Sequence, residues 1–230
     1  MDFGLTVILC AVAGCLFASS KTGRLVELVD REWPQQASAR GQWLAKYDPL
    51  RLVLPVRDDF SPTVTVVLGL VYLSHYVWAL CYLIYLLFKP ATQKQQQHAL
   101  VFAGRFLVAN VFYLAVQVLY PVSPPWKFLR FRTRTEPATL FMREAGLARV
   151  DRAMNLNLFA RLYAKNHWID GAMPSGHVLW SALVTFDSDC AWLATAHTLL
   201  TTIGALHFAH HFLVDCVAGV FIAAAVVYNV

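Results

Sequence analysis

Hydrophobic and polar positions fall along this chain in long blocks rather than in short periods. Residues 3–19, 62–88, 99–120, 175–187, 191–208 and 211–228 are almost wholly apolar, with polar stretches between them. Blocks of this kind predict helices that cross a bilayer, because a helix satisfies its own backbone polar groups where no water is present. A hydrocarbon layer of about 30 Å takes about 20 helical residues to cross. The fourth and fifth blocks are short by that measure, so their ends must project little or the bilayer must thin. The first block follows Met1-Asp2 without the basic flank of a secretion signal, which favours a retained span. Ser61-Pro62 opens the second block with a capping serine and a proline at the first helical position.

The polar stretches differ in kind. Residues 21–59 are mixed in charge and interrupted by Pro34, Pro49 and Pro55, and Trp33, Trp43 and Tyr47 suit a segment lying at the membrane interface. Residues 91–98 make a short polar turn. Residues 121–170 form a long loop, whose start cannot be a regular helix because of Pro121, Pro124 and Pro125. Within it, residues 136–147 and 149–165 space their apolar positions three and four apart, which predicts short amphipathic helices on the surface.

Composition agrees with the block pattern. The chain is 58% hydrophobic and 14% charged, against about a quarter charged in a soluble domain. The expected fold class is all-α: a polytopic membrane protein of about six transmembrane helices, in a single integral membrane domain over residues 1–230. The net charge of +5 is concentrated on one side. Six passes put the loops after the first and third spans and the turn after the fifth on that side. The positive-inside rule assigns it to the cytoplasm, and a site for anionic head groups would draw cations to the same place. No soluble basic face exists for nucleic acid. The five cysteines include no C-x-x-C pair and read as small packing residues.

Two motifs carry chemistry. Pro174-Ser175-Gly176-His177 opens the fourth span. There, free backbone N–H groups and the helix dipole attract an anion, Gly176 allows close approach to the backbone, and His177 can protonate a leaving oxygen. His211 and Asp215 stand four apart at the start of the sixth span. On one helix face the carboxylate accepts the Nδ1 proton, leaving Nε2 free as a nucleophile. Charges within apolar blocks are expensive and therefore suspect as functional groups. A down-and-up pass brings His177 and His211 to the same side, and the combination points to phosphoryl chemistry.

These motifs resemble those of the type 2 phosphatidic acid phosphatase superfamily. A narrower resemblance, over residues 99–230, is to the inositol phosphorylceramide synthases of fungi. It is carried by Tyr120-Pro121-Val122-Ser123-Pro124-Pro125-Trp126, by Gly146-Leu147-Ala148-Arg149-Val150-Asp151 and by Ala209-His210-His211-Phe212-Leu213-Val214-Asp215. The resemblance implies a six-helix membrane bundle and a phosphotransferase acting on lipid phosphates. It implies His211 as the residue that takes the phosphoryl group, Asp215 as its orienter and His177 as acid and base. It implies a lipid phosphate donor, a lipid alcohol or water as acceptor, no cofactor or metal, and an endomembrane setting in the Golgi or endoplasmic reticulum. The chain departs from the pattern in three places. Gly176 replaces the narrower family's leucine, Ala205 stands where the superfamily has an arginine, and Thr135 stands where a proline follows the first basic motif. The candidate phosphate contacts are therefore Ser175, Gly176, Lys127, Arg130, Arg134 and Arg149.

Competing readings follow from the same residues. His207-Phe208-Ala209-His210-His211 spells the H-x-x-H-H box of membrane di-metal enzymes, which need about eight clustered histidines; the chain has eight in all, most of them isolated in sequence. A prenyl diphosphate could replace the lipid phosphate, giving a phosphatase or a terpenoid cyclase. A non-catalytic homologue or partner subunit would leave the site unused. Elsewhere, His75 reads as an interhelical hydrogen-bonding residue, Asp187 and Asp189 as helix-ending residues, Arg105 as a snorkelling charge, and Trp126 and Trp168 as interface anchors or as the lining of a lipid cleft.

Overall fold

The computed structural model describes residues 33–47, 61–88, 93–126, 146–165 and 171–230. These residues form helices α1 (Trp33–Tyr47), α2 (Pro62–Phe88), α3 (Gln93–Leu119), α4 (Ala148–Met154), α5 (Leu158–Lys165), α6 (Gly176–Asp187), α7 (Ala191–His207) and α8 (Leu213–Asn229). Among the described residues there is no strand beyond an isolated parallel bridge between Val122 and Gly171. The first apolar block lies outside the described residues, and the other five fall on α2, α3, α6, α7 and α8.

Of the described helices, one segment, Gln96–Leu119 of α3, is by itself long and apolar enough to cross a membrane. The two halves of α2, Pro62–His75 and Val77–Phe88, meet the same measure together and are bent by 52° at the break. The 12 residues of α6 extend about 18 Å, well short of a bilayer core.

The shortness of α6 goes with its position. It packs against α2, α3, α7 and α8. Val178, Leu179, Trp180, Ser181, Ala182, Leu183 and Val184 are all buried. A helix apolar on every side belongs in the middle of a bundle. Around it, α2, α3, α7 and α8 turn large apolar residues outward, among them Leu70, Phe112, Leu199 and Phe221. Outward apolar residues of this kind suit contact with a membrane or another protein.

Two interior clusters run along α6. One holds Leu83, Phe102, Phe106, Leu183 and Val226. The other holds Tyr72, Leu147, Val150, Val178, Phe208 and Cys216, and it underlies the end where the motif histidines lie. Cys216 thus packs in the core as expected, whereas Cys81 and Cys190 are exposed. The loop after α3 joins the same end: Ser123 N–H donates to Ala37 O at 3.0 Å and Trp126 N–H to Ala209 O at 2.9 Å. Trp126 is consequently buried rather than an interface anchor. Trp43 and Tyr47 on α1 are exposed, as an interfacial segment requires. Trp168 lies outside the described residues.

The expected surface helix over 149–165 is two helices, broken at Asn155, which adopts a left-handed conformation with φ 54°. The first is half sunk: Ala148, Arg149, Val150 and Asp151 of α4 are buried, whereas Arg152, Ala153 and Met154 are exposed. The Asp151 carboxylate caps α5, accepting from the N–H groups of Leu158, Phe159 and Ala160.

The opposite end of α6 carries a polar cluster that the charge pattern did not foretell. Asp187 accepts from Arg105 Nη1 at 2.6 Å, His98 Nε2 at 2.8 Å and Tyr82 Oη at 3.0 Å. Arg105 Nη2 also donates to Val227 O at 2.9 Å. Asp187 therefore joins α2, α3 and α6 rather than merely ending a helix, and Arg105 turns inward instead of snorkelling. A carboxylate with no exposure needs such partners, because an unpaired buried charge is costly.

Candidate active site

The site assembles at the N-termini of α6 and α8 and the C-terminus of α7. Ser175 caps α6, its Oγ accepting from Val178 N–H at 3.4 Å, so His177 falls in the first turn as expected. His211 arrives differently. It precedes α8 rather than lying on it, in the turn that closes α7. That turn is a Schellman motif: His210 N–H donates to Ala205 O at 3.0 Å and Ala209 N–H to Leu206 O at 3.0 Å, with Ala209 left-handed at φ 51°. The turn reverses the chain and delivers His210 and His211 in succession beneath α6. Ala205, at the superfamily's arginine position, is fully buried with its carbonyl committed to this turn.

The two motif histidines meet. His177 Nδ1 lies 2.9 Å from His211 Nε2. His211 Nδ1 donates to the carbonyl of Ala172 at 2.7 Å. With the Nδ1 position protonated, a neutral His211 ring presents an unprotonated Nε2, and the short contact to His177 is a proton donated from His177 Nδ1.

The orienting acceptor differs from the expected one. Asp215 Oδ2 stands 3.8 Å from His211 Nδ1, outside hydrogen-bond range, and accepts instead from Phe212 N–H at 2.8 Å. The reason is the register: because α8 begins at Leu213, Asp215 is placed to cap the helix start. Its carboxylate, with no exposure, still lies beside the His211 ring.

Of the candidate phosphate contacts, Ser175, Gly176 and Arg149 lie among the described residues. Ser175 is buried, with its hydroxyl used as the cap. A Cβ on Gly176 would come within 2.9 Å of the Tyr113 ring, so this glycine makes room for Tyr113. Arg149 is buried beside the site, its Nη1 donating to His207 O at 3.1 Å at the end of α7. Lys127, Arg130 and Arg134 lie outside the described residues.

Two residues of the site, His75 and Tyr72, were not anticipated there. His75 donates from Nδ1 to Tyr72 O of its own helix, and its ring lies 4.1 Å from that of His177. The Tyr72 ring stacks on His177 at 4.3 Å and 18°. Its hydroxyl is 2.8 Å from Nδ1 of His210. Histidines inside an apolar block were a usable signal for His75; nothing local marked Tyr72. A second histidine bridges helices nearby: His197 Nε2 of α7 lies 2.8 Å from Ser74 Oγ of α2. Burial pushes the His210 imidazole down to about 3, and the neighbouring His211 and His75 rings act in the same direction.

The H-x-x-H-H histidines face separate partners: His207 Nε2 approaches Thr65 Oγ1 at 3.5 Å, His210 approaches Tyr72 and His211 approaches His177. Among the described residues no three His, Cys, Asp or Glu side chains are grouped to hold a metal ion.

Comparison with known proteins gives a family match and three relatives. The family model described as the PAP2 superfamily matches residues 58–229. An inositol phosphorylceramide synthase catalytic subunit of Schizosaccharomyces pombe is 29% identical over 138 residues, covering 54% of this chain and 30% of the relative. A phosphoinositol dihydroceramide synthase of Bacteroides thetaiotaomicron is 27% identical over 138 residues, covering 56% and 44%. The inositol phosphorylceramide synthase catalytic subunit of Saccharomyces cerevisiae is 25% identical over 118 residues, covering 48% and 29%. The likeness is therefore not confined to fungi, and the chain spans less than half the length of each of these curated relatives. No solved structure matches the chain.

Proposed function

Because the chain belongs to the PAP2 superfamily, we propose that it is a membrane-embedded phosphotransferase acting on lipid phosphates, with an activity like that of inositol phosphorylceramide synthase. The observation that carries this reading is the paired His177 and His211, with the His211 tautomer set by the Ala172 carbonyl. The three relatives support the choice of a phosphosphingolipid-forming reaction.

In the proposed mechanism His211 Nε2 attacks phosphorus and the bond to the leaving lipid oxygen breaks. His177, as imidazolium, gives that oxygen its proton. The resulting phosphohistidine is discharged by a lipid hydroxyl, which loses its proton to His177 as its oxygen displaces the His211 nitrogen. Asp215 stabilises the positive ring throughout. In-line transfer needs roughly 7 Å between the two facing nitrogens, from a near-attack contact of about 3–3.5 Å, the breaking bond and a hydrogen bond of about 2.8 Å. Substrate must therefore part the 2.9 Å histidine contact. Arg149, together with Lys127, Arg130 and Arg134, is proposed to meet the phosphate charge. The proposal includes one multi-pass domain of about six spans in an endomembrane, supported by the apolar blocks and the outward apolar residues.

Product analysis by mass spectrometry tests the reading. Purified protein and its His211→Ala variant receive phosphatidylinositol with ceramide, phosphatidic acid, or farnesyl diphosphate in separate reactions. An inositol phosphoryl lipid made only by the unmutated protein is the expected result. Free phosphate from phosphatidic acid, or an altered prenyl product, would replace transfer by hydrolysis or cyclisation. Near-wild-type turnover by His211→Ala would remove the nucleophile.

A further inference from the structure

Tyr72 is fully buried, and it is in contact with both halves of the site. Its ring face lies against His177, with centroids 4.3 Å apart and planes within 18°. Its hydroxyl lies 2.8 Å from Nδ1 of His210, the residue immediately before His211. His210 and His211 are held in one turn by backbone bonds from both N–H groups to the Ala205 carbonyl, at 3.0 and 3.4 Å. A pull on the His210 ring is thus transmitted to His211.

The packing around Tyr72 is specific to this placement. A Cβ at Gly204 of α7 would stand 3.1 Å from the Tyr72 Cβ and 3.4 Å from the Leu68 carbonyl, so the glycine lets α2 approach α7 at this level. One turn along α2, His75 puts its ring 4.1 Å from His177 and donates to the Tyr72 carbonyl. Positions three apart on a helix lie on one face, so Tyr72 and His75 together form a notch that receives the His177 ring.

We propose that Tyr72 is a positioning residue of the transfer reaction: its ring fixes the plane of His177 while its hydroxyl, through His210, fixes the turn that carries His211. The inference rests on the phosphohistidine reading and extends it to a residue outside both sequence motifs. Small displacements of reacting groups are costly in rate, since about 1 Å of misplacement can cost on the order of a hundredfold. A tether that touches neither phosphorus nor the leaving group should act on kcat and leave KM almost alone.

The test uses Tyr72→Phe, which keeps the ring and loses the hydroxyl, His210→Phe, and the double variant, assayed with phosphatidylinositol and ceramide. Each single change should lower kcat roughly tenfold with KM within about twofold. The double variant should lose no more than either single one, because both remove the same contact. His210→Asn, which can restore a polar partner to the hydroxyl, should recover much of the rate. Singles within about twofold of wild type in kcat, or losses that multiply in the double variant, would overturn the proposal. A second readout needs no substrate: carbethoxylation of His177 and His211, followed by peptide mass spectrometry, should speed up several-fold in Tyr72→Phe and Tyr72→Leu. Unchanged labelling in both variants would also overturn it. His211→Ala is run alongside. Activity in that variant defeats the proposed nucleophile, whereas an inert His211→Ala beside an unaltered Tyr72→Phe defeats the positioning role alone.

Discussion

Replacing Asp215 by Asn removes a negative charge 3.8 Å from Nδ1 of His211 and leaves the shape of the site almost unchanged. The His211 tautomer should survive, because its proton goes to the Ala172 carbonyl. The helix cap should survive too, because the Asn side-chain oxygen can still accept from Phe212 N–H. What is lost is the attraction between the carboxylate and the positive ring that forms as phosphorus bonds to Nε2. At an effective dielectric of about 20, two unit charges at this separation interact by about 4 kcal/mol. Spread of the positive charge over the ring reduces that, so a fall of two to three decades in kcat is expected, at about 1.4 kcal/mol per decade. The assay is steady-state transfer at saturating phosphatidylinositol and ceramide, with the thermal midpoint measured on the same samples. Asp215→Ala, which also removes the cap, should lose about a further 1 kcal/mol of stability. A kcat for Asp215→Asn within about threefold of wild type would refute the electrostatic role. A lost fold in Asp215→Asn would show that the cap needs the full charge.

Further outcomes follow from groups away from the transfer step. Arg105→Met should cost about 3 kcal/mol in chemical unfolding, because it strips the buried Asp187 of its cation; His98 and Tyr82 keep the loss near the low end for a broken buried pair. Activity per folded molecule should be unchanged, and wild-type stability would show that the cluster does not hold the bundle. Asp151→Ala should cost about 2 kcal/mol and expose α5 to proteolysis, since three backbone N–H groups lose their acceptor; an intact limited-digestion pattern would contradict the capping role. His210, held down to about 3, stays neutral in the folded protein while the unfolded chain binds a proton below about 6.5. Stability should therefore fall as pH drops from about 6.5 towards 3. His210→Gln should flatten that slope, and a slope identical in both proteins would refute the burial effect.

The apolar blocks alone determined that the described chain is helical, because the hydrophobic requirement of a long buried or lipid-facing helix is local and legible residue by residue. Ser61-Pro62 and Ser175 marked helix starts for the same reason, since capping depends on a few adjacent residues. The motifs picked out His177 and His211, which the structure brings to 2.9 Å. Local spacing failed where the chain turned. His211 and Asp215 were read as sharing a helix face, but the Schellman turn ends before α8 begins, so the carboxylate caps α8 and a carbonyl from another segment takes the His211 proton. Tyr72 and His210 are 138 positions apart, and Arg105 and Asp187 are 82 apart. No period or motif encodes such pairs. They exist because α6 is surrounded by α2, α3, α7 and α8, and a polar side chain inside that bundle must find its partner on whichever helix lies beside it. Tertiary packing decided those neighbours, and with them the floor beneath His177 and the ion pair at the far end of the bundle.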